Sequence, residues 1–252
     1  MKRATLASLI LMAVVAALPA PASAALRTPQ VALSDNGDNL QPQINILNGA
    51  GINVTTDQED FTRWGRNISG SGTFTLSFAV GAALGTNSIG VYNAVKDDGI
   101  VPSAADYFEI FPALTGQGAY AVAQFNKTDN SLDVTLFDAG DNIVTGFPKH
   151  YADVHVNDFG FYIFNGSVYQ HGQDLLNDND EARVLVLPGT GVNNGGWYLC
   201  FEDGAPSVQP AQALGIVDTE HQDFDEAILF VEAIRPVSVS KATWAALKSR
   251  FR

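Results

Sequence analysis

The residues of this chain best suited to chemistry are carboxylates, and they fall in two groups, each at the end of an apolar run. Glu202 and Asp203 close the run at residues 196–201, while Asp218, Glu220, Asp223, Asp225 and Glu226 lead into the run at residues 227–234. Both runs are rich in β-formers, so as neighbouring strands they would carry the two groups to one rim. At an effective dielectric near 20, two carboxylates about 4 Å apart repel by about 4 kcal/mol. A cation must neutralise that rim, or water must separate its charges.

Calcium fits the pattern. It takes about six to eight oxygens at about 2.3–2.6 Å, and acids at alternate positions, such as Asp223 with Asp225 or Asp218 with Glu220, can aim several at one point. The candidate Ca2+ set is therefore Glu202, Asp203, Asp218, Glu220, Asp223, Asp225 and Glu226, although no EF-hand loop is present. Two other readings stay open. Glu202 and Asp223 could act as acid and base on a glycan if their carboxyls stood about 5–9.5 Å apart beside an aromatic platform, for which Trp197 and Tyr198 are available. The acids could also form a plain solvated loop. His221 lies among them, where neighbouring negative charge favours its protonated form. A weaker calcium candidate is the acidic turn at residues 177–181, and His150 and His155 flanking Asp153 make a weak zinc arrangement. No H-E-x-x-H, Walker or G-x-S-x-G motif occurs.

The elements that must position these acids read as strands. Phe74, Leu76, Phe78 and Val80 alternate with small or polar residues, as do Leu132, Val134 and Leu136. Similar short runs at residues 44–47, 52–55, 89–92, 107–111, 120–125, 159–164 and 183–187 are bounded by Gly, Asn, Asp or Pro. About a dozen strands at this spacing predict an all-β protein, a jelly-roll-like antiparallel β-sandwich. Only the end departs from it: Trp244, Leu247 and Phe251 share a helical stripe among basic residues, which predicts a short amphipathic C-terminal helix over residues 239–252.

Residues 1–24 have the form of a secretory signal peptide: a basic head, an apolar core too short to span a bilayer, and Ala22-Ser23-Ala24 at the exit. Cleavage would leave 228 of 252 residues, with one sandwich domain over residues 25–238, and a secreted or cell-surface address. Losing Lys2 and Arg3 takes the formal charge from −13 to −15, which disfavours nucleic acid and anionic membranes as partners. Cys200 is the single cysteine, so no intramolecular disulfide can form, and inside an apolar arm it reads as a small buried hydrophobe.

Phe201-Glu202-Asp203 and Asp223-Phe224-Asp225-Glu226 resemble the F-E-D and D-Y-N-D signature of a bacterial domain of unknown function from secreted and cell-surface proteins, often those with PEP-CTERM tails. His221 replaces the leading acid of that pattern and Glu226 its last. Phe159 to Ile163 and Leu175-Leu176-Asn177 resemble the family's earlier strand and turn, and residues 87–92 a stretch of similar exported proteins. The resemblance is strongest over residues 159–231, within a family-like half at about 150–234. It implies a bacterial exported protein with an ion at the acidic rim and an extracellular glycan or surface protein as partner.

Overall fold

A computed structural model describes residues 40–79, 81, 83–95, 100–203 and 223–237. Alternation of apolar and polar residues becomes strand wherever one face can be buried. β2 (Ser71–Ala79) buries Phe74 and Leu76, β5 (Tyr120–Asn126) buries Ala121, Ala123 and Phe125, and β6 (Ser131–Phe137) buries Leu132, Val134 and Leu136. With β10 (Val184–Pro188), β11 (Trp197–Phe201), β12 (Ala227–Glu232) and β7 (Lys149–Tyr151) they form a seven-stranded antiparallel sheet, in the order β10-β11-β12-β2-β5-β6-β7. The second sheet runs β13 (Ile234–Pro236), β1 (Trp64–Arg66), β8 (Phe159–Phe164), β3 (Ser88–Asn93) and β4 (Tyr107–Phe111), with β9 (Tyr169–His171) also paired to β8.

The main core lies between the sheets. Phe74 meets Phe161 edge-on with ring centroids 5.5 Å apart, and Phe125 stacks on Phe159 at 5.0 Å. Trp64 is buried there against Trp197 and Phe161. The fold is an all-β sandwich, as the strand pattern predicts. Residues 149–151 form β7 and pair with β6 in the same sheet.

Three local expectations need correcting. Residues 44–47 are not a strand but part of α1 (Leu40–Asn48), because Leu40, Ile44 and Leu47 recur at helical spacing and pack as one stripe against Leu185, Tyr198, Cys200 and Ile228 on the outer face of the seven-stranded sheet. Residues 52–55 are irregular: Asn53 Oδ1 accepts the backbone N–H groups of Thr55 and Thr56 and closes a turn, while Ile52 and Val54 join the same outer cluster. Phe78 does not share a face with Phe74 and Leu76. The β2–β12 register shifts so that Ile228 pairs with Phe78 and Leu229 with Leu76, and this bulge at Ser77 turns Phe78 outward to the α1 cluster and Ala79 inward.

No helix among the described residues is long and apolar enough to cross a membrane. The signal peptide expected at residues 1–24 and the helix expected over residues 239–252 fall outside the described residues.

Candidate metal centre

The acid centre grows from the end of the β11–β12 ladder. The last antiparallel pair is Phe201 with Ala227, so Glu202 and Glu226 occupy the next step on either side. The Glu202 backbone N–H still donates to the Arg183 carbonyl at 3.0 Å, which fixes its direction. On the other arm Phe224 buries its ring beside the α1 cluster while its backbone holds φ at 57°. A left-handed conformation at a bulky residue costs on the order of 1–3 kcal/mol and persists only where packing over-determines it.

That turn at Phe224 changes which acids share a side. One carboxylate oxygen from each of Glu202, Asp223 and Glu226 lies within 4.8 Å of the others. Strict alternation would have paired Asp223 with Asp225 instead. Two full charges at the 4.8 Å limit repel by about 3–4 kcal/mol in an effective dielectric of 20.

Burial sharpens the conflict. Glu202 and Asp223 are 2% and 5% exposed, and Asp225 is also buried. Glu226 keeps some surface as a whole residue, yet its Oε2 is sealed from solvent and accepts no hydrogen bond. Burial lifts its pKa well above the ordinary carboxylate range. The charges of Glu202, Asp223 and Asp203 lift it further, against a smaller opposing contribution from its own backbone N–H.

Asp203 ties the centre to the other sheet. Its Oδ2 accepts Asn87 Nδ2 at 3.0 Å, and its carbonyl oxygen accepts Asn165 Nδ2 at 3.0 Å. Asn87 immediately precedes β3 and Asn165 immediately follows β8. Residues 87–92 enter the sequence reading only through the resemblance, and nothing there ties either asparagine to the acids, because that role depends on a pairing across more than thirty residues of chain. Asp225 sits close enough to Cys200 to act on its thiol, whose pKa is pushed up chiefly by burial and further by that charge. Cys200 is fully buried, the packing role expected for it.

Asp218, Glu220 and His221 lie outside the described residues. In the acidic turn at residues 177–181, the Asn177 amide donates to the carbonyls of His171 and Glu181 at 2.8 and 2.9 Å, so the turn is closed by its own asparagine. His150 faces Asp133 at 2.7 Å across β6–β7, with both side chains exposed. Trp197 and Tyr198 offer no open aromatic platform: Trp197 packs edge-on against Phe61 and Trp64, and Tyr198 is buried with its hydroxyl accepting Asn193 Nδ2 at 2.7 Å.

The clustered trio supplies carboxylate oxygen alone, with no imidazole or thiolate. Such a donor set suits a hard cation and not a thiophilic one. No family model, curated protein or solved structure matches the chain.

Proposed function

We propose that this chain is an exported β-sandwich that holds a calcium ion at the acid centre and serves attachment to an envelope, matrix or cell surface. The observation that carries the calcium reading is the convergence of Glu202, Asp223 and Glu226 within 4.8 Å, with one Glu226 oxygen sealed and accepting no hydrogen bond. Asp203, whose charge acts on Glu226, stands close by as a further oxygen donor, and Asp218 and Glu220 belong to the connection between the two arms. A divalent ion would offset the mutual repulsion of the trio and tie the end of β11 to residues 223–226. Three of the acids that carry the resemblance to the bacterial exported domain, Glu202, Asp223 and Glu226, are the ones that converge.

Calcium titration of the folded chain tests this. At about 100 times its Kd, one ion should add about 2.7 kcal/mol of stability, read as a rise in melting temperature over the chelated protein. Identical melting in chelator and in millimolar calcium sinks the reading. A glycan-acting hydrolase using Glu202 and Asp223 has less support, because both carboxylates are buried and the expected platform residues are engaged in packing. Hydrolysis of a glycan lost in Glu202→Gln, with the fold retained, would reverse that ranking.

A further inference from the structure

On the outer face of the six-stranded sheet lies a cleft of about 340 Å³, lined by Thr86, Ser88, Tyr107, Glu109, Phe164 and Tyr169 among others. Its shape begins with two glycines. A Cβ at Gly90 would stand 2.8 Å from the Tyr162 ring, and one at Gly160 would stand 2.3 Å from the Tyr92 ring, so each glycine lets a tyrosine lie across the neighbouring strand. Tyr162 in turn meets Tyr107 and Tyr169 edge-on, at 5.3 and 5.2 Å. Tyr107 stacks on Tyr169 at 4.0 Å, and Tyr169 stacks on Phe164 at 4.4 Å. The Tyr107 hydroxyl is held by His171 Nε2 at 2.7 Å. Tyr107, Phe164 and Tyr169 nevertheless stay half-buried, so rigid aromatic surface remains open to solvent.

We infer that this cleft binds a neutral saccharide. A pyranose presents apolar C–H faces and a rim of hydroxyls, and the cleft presents fixed aromatic surface beside the Thr86 and Ser88 hydroxyls and the Glu109 carboxylate. Glu109 is balanced by Lys149, whose Nζ lies 2.7 Å from Oε1, so its carboxylate offers acceptors to hydroxyls without an unbalanced charge that selects an ion. An aromatic cage for a quaternary ammonium needs rings standing apart around the cation, whereas these rings touch each other. The volume lies at the lower end for small-molecule sites and suits one or two sugar units. This names a ligand class for the surface-attachment part of the proposed function, and it does not depend on the calcium part.

The test is titration of the full chain with neutral gluco- and N-acetylgluco-oligosaccharides, followed by isothermal calorimetry and ligand-observed NMR, in chelator and again in millimolar calcium. Binding is expected in both conditions, weakened about ten-fold or more by Tyr169→Ala, the loss of roughly one aromatic contact and its buried area. Tyr169→Leu, which keeps apolar bulk but removes the flat ring, should weaken it similarly and guards against a folding defect in the alanine variant. Absence of binding by every oligosaccharide overturns the inference, as does binding unchanged in a folded Tyr169 variant or a preference for tetramethylammonium over sugar. Sugar binding without a calcium response would leave this inference standing and remove the metal reading alone.

Discussion

Two buried polar regions of the molecule follow opposite rules. Around His171 on the six-stranded sheet the groups are neutral and matched donor to acceptor: Gln173 accepts from the Val95 N–H and donates to the Val95 carbonyl, at 3.1 and 2.9 Å. The Tyr92 hydroxyl donates to Gln173 at 3.2 Å, and the Asn177 side chain accepts the His171 N–H at 2.7 Å. At the acid centre, carboxylates of like charge converge and a sealed oxygen of Glu226 accepts nothing. A matched network is complete in itself, whereas converging like charges are stable only with a proton or a cation among them. The contrast sets a region of matched neutral groups beside one in which carboxylates converge.

The largest expected effect comes from removing the device that creates the contrast. Phe224→Ala empties a fully buried ring site and should cost about 3–5 kcal/mol. It should also abolish the calcium-dependent rise in melting temperature, since Asp223 and Glu226 would no longer be turned together; a full calcium response in this variant would show that the left-handed turn is irrelevant to the centre.

Next comes pH at the matched network. Burial pushes the His171 pKa down from 6.5 to about 4, so the unfolded chain binds a proton that the folded chain refuses in that window. Stability from this residue is complete above about 6.5 and is lost as pH falls towards 4, by up to about 3 kcal/mol. Chemical denaturation of the wild type and of His171→Gln at a series of pH values checks it: the wild type should decline more steeply across the window, and parallel declines would refute the assignment.

A smaller effect of opposite sign belongs to the acid centre. With chelator present, Glu226→Gln removes one like charge and should stabilise the fold by about 1–3 kcal/mol at neutral pH. Because the Glu226 pKa is raised, the folded wild type holds its proton longer than the unfolded chain does, so wild-type stability falls as pH rises above the ordinary carboxylate range. The advantage of the glutamine should therefore vanish in acid and grow with pH, and the variant should respond less to calcium. A glutamine variant less stable than wild type in chelator at neutral pH would mean that the carboxylates are already compensated.

Much of this was readable in the chain. The arms at 197–201 and 227–232, the acids at their ends and the burial of Cys200 all follow from local composition and alternation. What stayed hidden depends on backbone exceptions and long-range pairing. The bulge at Ser77 sends Phe78 to the other face, and the left-handed Phe224 exchanges Asp225 for Glu226 in the clustered trio. The helical stripe of Leu40, Ile44 and Leu47 was present but is only three residues long amid Gln and Asn. The tyrosine cleft could not be read at all, because Tyr107 and Tyr169 meet only once β4 and β9 flank β3 and β8.

The hydrogen bonds from Asn87 and Asn165 to Asp203 lace one end of the sandwich shut, and each asparagine adjoins residues that line the tyrosine cleft: Thr86 and Ser88 on one side, Phe164 on the other. The acid centre and the tyrosine cleft thus share two stretches of backbone. Were both proposed ligands to bind, any coupling carried through these stretches would be reciprocal: whatever calcium changed in the affinity for sugar, sugar would change equally in the affinity for calcium.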